Sequence, residues 1–138
     1  MGIHYDSYIV QKVNEYHSAR EKIKQWLQLL QTDEQFFFEV AVNEALNNAL
    51  YHGNEEEEVH VRILFQADKE KLTVSIEDNG IGITEEGEIL YEQKSDNVFK
   101  EAADTLRESG RGIAIMKECS DQLILEEGGR CVTLVKNI

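Results

Sequence analysis

The sequence has no proline, two cysteines and few cations: 14 Lys and Arg stand against 27 Asp and Glu, a formal net charge of −13 over 138 residues. Each shortage excludes something. So little positive charge removes any general attraction for nucleic acid or an anionic membrane surface. No apolar run approaches the ~20 residues of a membrane-spanning helix. Met1 to Val10 lacks the basic-then-apolar pattern of a secretory leader. Cys119 and Cys131 make neither a disulfide framework nor a metal-ligand spacing. A cytoplasmic protein with a single domain over 1–138 is the expectation, and 41% hydrophobic residues suffice for a real core. With no proline, punctuation falls to nine glycines. Five of them, Gly53, Gly80, Gly82, Gly110 and Gly112, fall in three clusters beside polar residues, where backbone must turn sharply or approach something closely.

Hydrophobic spacing organises the chain. Ile9, Val13, Tyr16, Ile23, Leu27 and Leu30 recur at helical intervals, so the segment 1–31 reads as an amphipathic helix, interrupted at Arg20. Its stripe fits packing on the domain's own core or a homodimer seam. Thr32 and Gln35 form a capping box ahead of a second helix from about Asp33 to His52, with Phe36, Val40, Ala41 and Leu46 as its apolar surface. Glu44, Asn48 and His52 stack along one face of that helix, each four residues after the last. Val59 to Phe65 and Leu72 to Ile76 alternate as two half-buried strands around a turn at Asp68 and Lys69. Residues 84–109 are polar and weakly periodic, a long connection with a helix near Val98 to Arg107. Gly112 then leads a helix carrying Ile113, Ile115, Met116 and Cys119. Two strands near Gln122 to Glu126 and Cys131 to Lys136 close the chain. The fold class is α+β, a two-layer sandwich with helices on one sheet face.

Three signals carry the chemistry. Glu44 and Asn48 lie on one helix face, Asp78-Asn79-Gly80-Ile81-Gly82 follows a strand, and Ser109-Gly110-Arg111-Gly112 opens a helix. Each alone is common; their order and context together are specific. Val42 to Ala49 with His52-Gly53, Asp78 to Ile83, and Ser109 to Gly112 resemble the boxes of the GHKL ATPases, and most closely those of the anti-sigma-factor serine kinases. The resemblance runs from about Asp33 to the C-terminus. It implies a Bergerat-type sandwich with a mixed sheet, in which ATP lies between the helices and a lid at 84–109. An opening strand usual in such domains has only a possible stub at Ile3 to Tyr5.

The same resemblance implies roles. Asn48 supplies an amide oxygen to Mg²⁺, a cation that prefers hard oxygen ligands. Asp78 accepts from the adenine amino group, with Gly80 and Gly82 allowing close approach to the base. Gly110 and Gly112 expose backbone donors to phosphates. Arg111 and Lys94 add local positive charge, although Lys94 equally fits a solvated surface lysine. Arg107 is a weaker cation of the same kind, and His52 fits either a phosphate neighbour or a helix end. Glu44 is placed to take the proton that a hydroxyl nucleophile must lose. That favours a serine kinase with ATP and Mg²⁺ as cofactors, and a sigma factor and an anti-anti-sigma protein as partners. A nucleotide-gated binding module and the ATP-binding part of a split histidine kinase are the alternatives. Gly129-Arg130-Cys131 stands where the family has Gly-Thr-Thr, so a threonine of the adenine site is missing.

Overall fold

Val61, Ile63, Phe65 and Ala67 hold every second position of one segment, with Arg62, Leu64 and Gln66 between them, as Leu72, Val74 and Ile76 do in another, and all seven are buried. A period of two puts each set on one face of a strand, and burying that face needs a covering layer. Helices supply it. The structure, a computed structural model, describes residues 3–50, 58–78, 112–126 and 130–138. In chain order its elements are β1 (His4–Lys12), a 3₁₀ turn (Val13–Glu15), α1 (Tyr16–Leu27), α2 (Thr32–Leu50), β2 (Glu58–Ala67), β3 (Lys71–Asp78), α3 (112–118), β4 (Gln122–Glu126) and β5 (Cys131–Asn137). The strands form one sheet in the order β1-β2-β3-β5-β4.

The α+β sandwich expected from the sequence is present, with two corrections. Every strand pairing among the described residues is antiparallel, so the sheet is not mixed. Two helices rather than one connect β1 to β2, so the chain re-enters the sheet in the opposite sense. Secondly, residues 4–12 are an edge strand, not the start of an N-terminal helix over 1–31. Tyr8 and Val10 turn toward the helical layer, while Ile9, counted as part of a helical stripe, is 58% exposed on the other sheet face. The stripe from Tyr16 onward is helical, and Ile23, Leu27 and Leu30 are buried in the protein's own core. Arg20 interrupts it because it works at the seam between α1 and α2. Its guanidinium donates to the Tyr16 hydroxyl at 3.2 Å and pairs with Glu39 at 3.5 Å.

α2 buries Phe38, Ala41, Val42, Ala45, Leu46 and Leu50, a stripe at helical spacing whose two alanines let the helix lie close to the sheet. Phe36 was expected on that surface but is 65% exposed, because Phe38 occupies the inward position. At its start the Gln35 side chain reaches back to the Leu30 carbonyl at 2.7 Å.

Lys136 clamps β5 to the helical layer. Its ammonium lies 3.2 Å from Asp121 and 3.5 Å from Glu34, and its side chain is only 15% exposed. Burial alone would depress its pKa, but the two carboxylates outweigh that and hold it above the ordinary lysine value. The Asn137 backbone N–H, and secondarily Lys136, hold the Asp121 carboxyl below its usual range. A lowered carboxylate stabilises above its unfolded pKa, about 3.9, and a raised ammonium below its own, about 10.4, so the clamp is complete between those limits. Both acids keep substantial solvent exposure, so Lys136→Met is expected to cost about 1 kcal/mol. In a protein of this size that lowers Tm by roughly 3–5 °C. Circular dichroism melts at pH 7 check it, and the deficit should shrink as the pH falls below the ordinary carboxylate range and Asp121, held low, takes up its proton.

Candidate functional site

Glu44 and Asn48 lie one turn apart on α2, on the flank beside its buried stripe. Both are half-buried. A rigid helix fixes their spacing, so neither needs a loop to hold it in place. The first described residue of α3, Gly112, is buried against them. A Cβ built on Gly112 would stand 3.1 Å from a Glu44 carboxylate oxygen and 3.2 Å from the Asn48 amide nitrogen. That is tighter than ordinary van der Waals contact, so only glycine seats α3 on both side chains without displacing them. The hydrophobic residues that follow, Ile113 and Met116, anchor α3 in the core.

The Asn48 amide nitrogen is buried and has no hydrogen-bond partner among the described residues. A buried donor left unmade costs free energy, so the arrangement calls for an acceptor. An amide offers both a donor nitrogen and an acceptor oxygen. A phosphate oxygen satisfies the first and Mg²⁺ the second, so the site fits a magnesium-bound nucleotide on its own chemistry.

Asp78 ends β3. It continues the column of Leu72, Val74 and Ile76 on the helix-covered face, one step past the last buried member. Its backbone N–H donates to the Arg130 carbonyl at 2.8 Å, one rung beyond the pair Glu77↔Cys131 and two beyond Ile76↔Val132. Asp78 therefore sits at the end of the described β3–β5 ladder. Val61 of β2 pairs with it. The fold thus brings Glu44, Asn48 and Gly112 into contact and puts Asp78 on the same side of the sheet. The other residues singled out by sequence, Gly80, Gly82, Lys94, Gly110 and Arg111, with His52, Arg107 and the 84–109 segment, lie outside the described residues.

Sequence reasoning missed what faces Asp78. Cys131 is opposite Glu77, and the Thr133 hydroxyl meets that of Ser75 at 2.9 Å on the uncovered face, so neither points toward Asp78. Arg130 takes the opposing position. The signal that finds it is the strand register, counted back from Val132 opposite Ile76. A cavity of about 490 Å³ lined by Tyr5, Ser7, Leu64, Gln66, Thr73 and Ser75 lies on the uncovered face, across the sheet from Glu44 and Asn48.

The family described as "Histidine kinase-like ATPase domain" has a model that matches residues 9–136. Among curated proteins, the Chaperone protein HtpG of Shewanella halifaxensis (strain HAW-EB4) is 37% identical over 93 residues, covering 56% of this chain and 14% of that protein. HtpG of Shewanella sp. (strain ANA-3) is 36% identical over the same length, with the same shares. The chain thus spans a small part of these relatives. No helix among the described residues is long and apolar enough to cross a membrane.

Proposed function

Since the chain belongs to the histidine kinase-like ATPase domain family, we propose that this GHKL-type ATPase domain is a protein serine kinase of the anti-sigma type. It transfers phosphate from Mg-ATP to a serine or threonine of a small antagonist protein, and it holds a sigma factor on a separate surface. The observation that carries this reading is a carboxylate and an amide, Glu44 and Asn48, side by side on one helix with Gly112 pressed against both. ATP, when bound with Mg²⁺, supplies the phosphoryl group.

The chain's own residues do the rest. Asn48 offers its amide oxygen to the metal and its buried N–H to a phosphate oxygen. Glu44, held on the same helix, takes the proton from the attacking hydroxyl, a job that a carboxylate performs and a second amide does not. Gly112, lacking a side chain, lets α3 seat against both groups without displacing either. Asp78 accepts from the purine amino group at the end of β3. Serine is favoured over histidine as acceptor because a neutral imidazole nitrogen needs no base, whereas a hydroxyl does.

The test is transfer of labelled phosphate from Mg-ATP to a serine-bearing partner recovered by pull-down. Acid-stable label on a hydroxyl supports the reading. Acid-labile, base-stable label points instead to half of a split histidine kinase. Partner binding that switches with nucleotide but leaves no label points to a gating module. For the base contact, Asp78→Asn is expected to weaken Mg-ADP binding about 10- to 150-fold, the worth of a charge-assisted hydrogen bond, read by calorimetric titration.

A further inference from the structure

We infer that Arg130, facing Asp78 across the last rung between β3 and β5, is a specificity-determining residue that opens the base site to guanine as well as adenine nucleotides. The inference rests on the proposed reading of Asp78 as the purine-binding carboxylate. Its physical basis is the ladder. The bond from Asp78 N–H to the Arg130 carbonyl continues the pairing of Ile76 with Val132 and Glu77 with Cys131. Directly opposed residues of an antiparallel pair send their side chains to the same face, with Cα atoms about 5.5 Å apart in such a hydrogen-bonded pair. The face shared by Asp78 and Arg130 is the one whose inner rungs, Ile76 and Val132, are buried under the helices. Arg130 itself is exposed, at the mouth rather than in the core.

A carboxylate only accepts, and a guanidinium only donates, through five N–H groups in a fixed fork. A lone carboxylate suits adenine, whose amino group donates to it; guanine in the same orientation would set its O6 against the carboxylate, acceptor against acceptor. A guanidinium on the neighbouring rung changes that balance. It donates to guanine O6 and N7, the pairing for which its fork is suited. The carboxylate is then left to accept from guanine N1–H and the exocyclic amino group. Adenine keeps its own pairing by presenting its amino group to Asp78 and a ring nitrogen to Arg130. Acid and base together read a purine edge in either sense.

The test is calorimetric titration of the full chain with Mg-ADP and Mg-GDP, for wild type, Arg130→Ala and Arg130→Lys. Because Arg130 is exposed, both variants should fold, and circular dichroism verifies it. The wild type is expected to bind the two diphosphates within about 10-fold of each other. Arg130→Ala should shift the ratio toward ADP by at least about 10-fold, the worth of a hydrogen bond to a charged donor. Arg130→Lys, which keeps a cation but loses the fork, should fall between them. A wild type that binds ADP but rejects GDP by more than 100-fold overturns the inference, as does a ratio that both variants leave unchanged; either result leaves the nucleotide site standing. Failure of the folded wild type to bind either diphosphate overturns the reading of Asp78 as well.

Discussion

Glu44→Gln is expected to slow phosphoryl transfer by about 10²–10⁴-fold, the usual contribution of a positioned general base. Over the same substitution, affinity for Mg-ADP should change by less than about threefold, since an isosteric amide keeps the volume that Gly112 packs against. The split between rate and affinity is what identifies a proton acceptor. A residue that only shaped the pocket would lower both together, and one that only bridged helices would lower stability first. Single-turnover labelling of a serine-bearing partner, with calorimetry on the same preparation, measures the two quantities. Loss of binding in parallel with loss of transfer would remove Glu44 from the chemistry.

Asn48→Ala should act in the opposite way on function and on the empty fold. The amide nitrogen of Asn48 is buried without a partner among the described residues, an arrangement that costs stability until a ligand satisfies it. Removing it is therefore expected to leave the nucleotide-free protein at least as stable as wild type, by up to about 1 kcal/mol or roughly 3–5 °C in Tm. Nucleotide binding should lose its dependence on Mg²⁺, with affinity for Mg-ADP falling about 100-fold, at the upper end of what disturbing a metal's supporting ligands costs. ADP affinity measured with and without Mg²⁺ gives that number, and melts of the apo protein give the other. A variant less stable than wild type and unaltered in Mg²⁺ response would mark Asn48 as a structural residue only.

Much of this arrangement was legible in the sequence, for reasons that differ between elements. α2 was readable because its buried stripe, from Phe38 to Leu50, repeats at helical spacing over several turns, and a long repeat is hard to produce by accident. The same helix fixed Glu44 beside Asn48 without reference to anything distant. β2, β3 and β5 were readable because a strand covered on one face must alternate. β1 was not. It is an edge strand with one buried residue, Val10, so its alternation is faint, and Ile9 and Val13 happen to fall at helical intervals from Tyr16. The pressing of Gly112 on Glu44 and Asn48 was not legible: the motifs gave Gly112 only as a donor to phosphates, and no local pattern links α2 to α3. Arg130 was legible only as part of the run that replaces Gly-Thr-Thr, not as the residue opposite Asp78. Its position opposite Asp78 depends on the β3–β5 register, which is set by packing across the sheet and not by the residues around it.

The protein carries one tryptophan, Trp26, whose ring stacks on Phe65 at 5.2 Å between centroids and 7° between planes. Phe65 belongs to β2, next to the β1 edge, and pairs with Val74 on β3, four residues along from Asp78. Its indole fluorescence is therefore an internal gauge of whether α1 still sits on the sheet. It should stay unchanged when ligand enters beside Asp78. Loss of nucleotide binding in any variant can thus be separated, in the same cuvette and without a label, from loss of the fold.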